Sequence, residues 1–140
     1  MGTNTKEKNK SPQSKNKIRK AIGIVETDIG YIMLDSDNNF FNITIQNIKN
    51  GYKRDLLRKI WKTIPKDKIL DNTEIGVIQE QDGNVDYLIH VYKIRVDKSL
   101  KQDEIPNQKW LHLAQVNELV SSGTIKNIGM LAAYLFYLGS

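Results

Sequence analysis

At 140 residues, 39% hydrophobic and 26% charged, the chain has the length and balance of one globular domain with a real core and no room for a second. The absence of cysteine excludes disulfides, thiolate metal sites and a cysteine nucleophile. The formal net charge of +5 comes from residues 1 to 20, where Lys6, Lys8, Lys10, Lys15, Lys17, Arg19 and Lys20 face Glu7 alone, and no apolar signal segment or membrane-length apolar run follows. Neither export nor a membrane span is indicated, and the cytoplasm is the expected location.

Residues 1–17, MGTNTKEKNKSPQSKNK, contain no Val, Leu, Ile or aromatic residue. Such a stretch cannot offset the entropy of ordering, so it reads as a disordered basic leader, and a single domain is expected over residues 18–140. Three strands are predicted near residues 20–26, 30–34 and 39–46, separated by the turn-forming DIG and DSDNN, and a meander is their simplest arrangement. Phe40 and Phe41 are adjacent and point to opposite sides of a strand. One of the two is therefore expected to be exposed and free to stack on a base or meet a partner.

The period then changes. Over residues 52–64, Leu56, Leu57, Ile60, Trp61 and Ile64 fall on one arc of a helical wheel, with Arg54, Arg58 and Lys62 on the other, and Pro65 ends the helix. Two strand-like runs joined across QDGN predict a hairpin with positive φ at Gly83. KSLKQDEIPNQ is a polar loop and KWLHL a short strand. Leu113 to Val120 is amphipathic, SSG breaks it, and TIKNIGMLAAYLFYL is a mostly apolar helix started by Thr124. Strands, helix, strands, helices in that order predict an α+β domain with a mixed β-sheet packed between helices. The final helix carries more apolar residues, Met130, Leu131, Leu135 and Leu138 among them, than one buried face needs, which points to a homodimer or protein-partner surface.

The last third carries a family likeness. Asp103 and Glu104 in an acidic loop, Trp110 and Leu113, Asn117 to Val120, the Ser122-Gly123 break, Ile125 and Lys126, and Leu131 to Ala133 follow one pattern. It resembles the C-terminal part of the Nudix hydrolase superfamily, in its branch acting on ADP-ribose and similar compounds. The resemblance implies a Nudix-like α/β/α sandwich. It also implies a box of glutamates on the first helix, holding Mg²⁺ or Mn²⁺ over a diphosphate.

Aligned on Arg58, the box positions are filled otherwise. Lys59 stands for the first glutamate, Ile60 for the apolar residue, and Lys62 and Thr63 for the glutamate pair, with Pro65 in place of the following glycine. Upstream, Thr44 falls at the first glycine and Asn50 at the earlier glutamate, with Gly51 nearby. An ammonium cannot ligate a metal. This reading expects a degenerate Nudix box, no catalytic residue, no metal and no cofactor.

Arg54, Arg58, Lys59, Lys62 and Thr63 are then candidate ligands for phosphate, as fixed cations in the place of metal ions. The competing reading makes them the solvated side of an amphipathic helix. Trp61 and Glu104 are candidate edges of the cleft, although the place of Trp61 on the apolar arc favours burial. His90 and His112 lie in predicted strands with no ligand motif and receive no role. The expected function is a catalytically inactive binding module for a nucleotide or RNA. The alternatives are a protein-protein interaction scaffold and a divergent hydrolase of nucleoside diphosphate compounds such as ADP-ribose.

Overall fold

The computed structural model describes residues 16–45, 51–102 and 105–140. Six strands form one mixed sheet: β1 (Asn16–Thr27), β2 (Tyr31–Asp35), β3 (Phe41–Thr44), β4 (Ile69–Asp82), β5 (Val85–Val96) and β6 (Gln108–His112). Among the described residues three α-helices pack on it: α1 (Tyr52–Ile60), α2 (Leu113–Ser121) and α3 (Ile128–Leu138). The spatial order is β4-β5-β1-β2-β6, with β1 and β5 parallel along their whole length, from Asn16 beside Val85 to Thr27 beside Val96.

The first strand begins two residues before the expected domain boundary. Asn16 and Lys17 belong to the ladder, and the Asn16 N–H donates to the Asn84 carbonyl at 2.9 Å. The rest of the leader lies outside the described residues, as do Asn50, Asp103 and Glu104.

The expected meander is corrected. β3 does not follow β2 across the sheet; it returns to the same edge of β1, where Lys20 to Gly23 pair with Thr44 to Phe41 and only Glu26 pairs with Ile32 of β2. The cause is length, since twelve-residue β1 offers more edge than five-residue β2 can cover. β6 then takes the outer edge of β2.

Both faces of the sheet are covered, which explains the unbroken buried run Ala21 to Val25 in place of alternation. Ile22, Ile24, Ile32, Leu34, Phe40, Ile89 and Val91 pack against Val116 of α2 and Met130, Ala133 and Tyr134 of α3. Ala21, Val25, Met33, Phe41, Ile94 and Val96 pack against Leu56 and Ile60 of α1 and Ile64 beyond it. Phe40 and Phe41, at 1% and 8% exposure, are thus both buried, one in each core. Opposite directions from a strand with two covered faces require no exposed member.

α1 sits close because β1 has no side chain beneath it at Gly23. A Cβ there would lie 2.9 Å from Ile94 Cδ1 and 3.1 Å from Leu56 Cδ2. The regular helix stops at Ile60, short of the predicted residue 64. A tighter turn carries the chain on, with Lys62 N–H bonded to Lys59 O and Thr63 N–H to Ile60 O, up to Pro65.

α3 also starts later than expected. Gly123, at φ +80°, ends α2, and Thr124 N–H closes back on Leu119 O while its hydroxyl meets Ser122 Oγ. Asn127 caps α3 instead, its Oδ1 accepting from Met130 N–H at 3.1 Å.

Candidate functional site

The turn after α1 runs beside the β2–β3 connection, and this neighbourhood builds the site. Asp35 organises the connection: its Oδ1 accepts the backbone N–H of Asp37 at 2.8 Å and of Asn39 at 3.0 Å, and Asn38 takes φ 65°. The chain then enters β3 with Asn39 and Asn42 flanking the two buried phenylalanines. Lys59, Lys62 and Thr63 reach the same place from the helix side. Together with Asp35, Asn39, Asn42 and Gln108 they line a cleft of about 210 Å³. Lys59 Nζ donates to the Asn42 carbonyl at 2.5 Å, which fixes one ammonium at the cleft wall.

A second cleft of about 310 Å³ shares Asn39 and Asn42 with the first and extends past Lys20 and Tyr87 to Asn127 at the start of α3. Lys20 Nζ lies 5.4 Å from the Tyr87 ring centre. Glu80 and Asp82 also border this second space, so its charge is mixed. Among the described residues, Asp35 is the one carboxylate lining the lysine cleft, and it is already engaged by two N–H donors.

The other sequence-predicted residues are placed differently. Arg54 and Arg58 are exposed on the outer side of α1 and do not line the cleft with Lys59. Trp61 is half-buried on the opposite flank of α1, with Lys66 Nζ 4.0 Å from its ring centre. Glu104 lies outside the described residues.

The histidines have structural partners. His90 Nδ1 meets Glu74 Oε1 at 2.8 Å and its ring lies 3.9 Å from that of Tyr52. His112 precedes α2, its N–H donating to Gln115 Oε1 at 2.8 Å and its ring packed on Tyr31. The His90 hydrogen bond holds the Glu74 carboxyl below its ordinary range, against a smaller opposing push from burial. Burial first, and then the hydrogen bond to Glu74, push the Tyr92 phenol up.

Asn39, Asn42, Gln108, Lys20 and Lys66 were not singled out by sequence. The asparagines carried one usable signal, since DSDNNFFN is denser in Asn than a turn requires. Gln108 and Lys20 become site residues only through strand pairing.

Comparison with solved structures bears on the fold. The chain is similar to the C-terminal domain of mouse MUTYH, solved in complex with human PCNA, over 87% of this chain and 88% of that one, at 15% identity and a TM-score of 0.63. It is similar to a Nudix hydrolase from Nitrosomonas europaea over 89% and 90% of the two chains, at 11% identity and a TM-score of 0.58. A MutT protein from Methanosarcina mazei matches over 89% and 96%, at 12% identity and a TM-score of 0.56. The chain has a Nudix-like fold. No protein-family model matches the sequence, and no curated protein matches it significantly.

The Nudix resemblance raises the question of a divalent cation. Hard cations need several oxygen ligands, with carboxylates supplying the charge. In the lysine cleft the donors are two ammonium groups, a threonine, neutral amides and the already engaged Asp35. Among the described residues no three His, Asp or Glu side chains form a group able to hold a metal ion. The described donors of this cleft do not fit Mg²⁺ or Mn²⁺, and the chemistry they offer is that of fixed cations and amide donors. Among the described residues no helix is long and apolar enough to cross a membrane.

Proposed function

We propose that this Nudix-like domain is a non-catalytic binding module for a phosphate-bearing ligand, a nucleotide or RNA, held by Lys59, Lys62 and Thr63. The supporting observation is their convergence on one cleft walled by the amides of Asn39, Asn42 and Gln108. Two ammonium groups and a hydroxyl at a cleft wall supply charge-assisted donors to phosphate oxygens. Arg54 and Arg58, exposed on the outer side of the same helix, raise the local anion concentration. A degenerate box is the sequence counterpart of this arrangement, with lysines at two glutamate positions.

The test is calorimetric titration of ADP-ribose into the protein with a chelator and then with Mg²⁺ or Mn²⁺, with product analysis of the same samples. Binding that survives chelation, without cleavage, is expected. Binding that appears only with the divalent ion, or turnover of ADP-ribose, contradicts the reading and favours the divergent hydrolase.

A second reading, an interaction scaffold, is favoured by α3. Ile128, Leu135 and Leu138 are 64%, 68% and 48% exposed on a helix with no charged residue. A helix apolar on all sides is ordinarily covered on all sides, so a protein partner or a second copy of the chain is the corresponding occupant.

A further inference from the structure

Lys62 lines the lysine cleft and is also the end of a row of cations. Arg54 and Arg58 stand four residues apart on α1, about 6 Å along the helix axis, and Lys62 follows four residues on, in the turn beyond Ile60. All three are exposed. Among the described residues their side chains have no hydrogen bond, ion pair or ring contact. Asp55, the single carboxylate on α1, is half-buried and forms no ion pair with them.

A solvated helix face accounts for the exposure of these residues but not for their arrangement. Arg54 lies in the first turn of α1, where the helix dipole disfavours a cation. Arg58 is its like-charged neighbour four residues on, and Lys62 repeats the spacing, so each step adds repulsion along one side of the chain. A line of phosphates along that side relieves all three cations at once. Charge elsewhere narrows the path such a ligand can take. β4, at the outer edge of the sheet, carries Asp71, Glu74, Glu80 and Asp82 and no basic residue. A polyanion is repelled from that edge and drawn to α1.

We propose that the lysine cleft is the end of a track for a single strand of nucleic acid, with one phosphate held by Lys59, Lys62 and Thr63 and the following phosphates lying on Arg58 and Arg54. The inference rests on the phosphate reading of that cleft and narrows its ligand to a strand of at least three nucleotides. A mononucleotide seated in the cleft leaves Arg54 without a partner, since Arg54 lies roughly two helical turns before Lys62. At about 210 Å³ the cleft admits a phosphate group of one strand and not a duplex. Guanidinium groups suit the outer positions, because each offers a planar fork of donors to two phosphate oxygens. The track reads the phosphodiester backbone, which carries no base sequence.

The test compares UMP with a 5′-phosphorylated uridine trinucleotide by calorimetric titration at several salt concentrations, in the unaltered full chain, in Arg54→Gln/Arg58→Gln and in Lys59→Gln/Lys62→Gln. The trinucleotide is expected to bind at least about tenfold more tightly than UMP. Its log affinity should also fall more steeply with log salt, by about 1.4 for two further phosphates. Arg54→Gln/Arg58→Gln should remove both the advantage and the added slope while leaving UMP binding as in the unaltered chain, and the exposure of both arginines lets this variant keep its fold. A trinucleotide that binds only as tightly as UMP, or equally to the unaltered and arginine-altered chains, overturns the track alone. Binding of neither ligand, or Lys59→Gln/Lys62→Gln without effect on either, overturns the cleft and the track together. Arginine-dependent binding to phosphatidylserine vesicles with none to the trinucleotide overturns the track in favour of a lipid surface.

Discussion

Glu74 on β4 and His90 on β5 meet at 2.8 Å on the sheet face that carries α1, and neither lines the lysine cleft; their contact makes a prediction about pH. The hydrogen bond from His90 stabilises the Glu74 carboxylate in the folded chain, so its folded pKa lies below the ordinary 4.5. A carboxyl depressed on folding contributes stability that is complete above its unfolded value and is lost as pH falls through the folded one. Folding stability should therefore decline as pH drops below about 4.5, and Glu74→Gln should flatten that decline while leaving ligand binding at the lysine cleft at neutral pH unchanged. Denaturant midpoints at several acidic pH values check this; an acid limb of unchanged steepness in the variant would sink it. At this scale the sequence was legible where chemistry is intrinsic to the residue. An ammonium at Lys59 or Lys62 cannot be a metal ligand in any fold. It was illegible where the role depends on the neighbour, as for Phe41, whose burial depends on α1.

Helices and strands were legible wherever period and punctuation agreed. The β4–β5 hairpin turns at Gly83 with φ +60°, as QDGN implied, and Leu56 and Ile60 are fully buried on the apolar side of α1. Element ends were less legible because they are set by competing local hydrogen bonds. Thr124 was a reasonable cap by type, but its N–H closes the end of α2, leaving Asn127 to start α3. Strand order was illegible because β1 pairs over its whole length with β5, more than fifty residues away, and that partner is invisible to a local pattern. The element contact most open to test is α1 on β1. Gly23→Val should destabilise the fold by about 1–3 kcal/mol, since the added carbons overlap Ile94 and Leu56. A lower urea midpoint with unchanged slope is expected, and an unaltered midpoint would show that α1 does not sit as close as described.

Over the whole molecule, the two layers of helices have unlike surfaces. Around α1 the chain from Lys53 to Lys68 carries Lys53, Arg54, Arg58, Lys59, Lys62, Lys66 and Lys68 against Asp55 and Asp67, while α3 on the far side of the sheet is uncharged. If α3 meets a second copy of the chain, sedimentation should depend on concentration, and Leu135→Glu should yield monomers without loss of stability, because Leu135 is 68% exposed. A monomer at every concentration would remove self-association and leave only a different protein as partner. The lysine cleft is the central claim, and one comparison reaches it most directly: affinity for ADP-ribose and for a short single-stranded RNA, at two salt concentrations, in the unaltered chain and in Lys59→Gln/Lys62→Gln. At least one of the two should bind, more weakly at the higher salt as counterion release requires, with the double variant roughly tenfold or more weaker and less sensitive to salt. Binding of neither ligand, or equal affinity and equal salt response in the two chains, would contradict a phosphate site at Lys59 and Lys62.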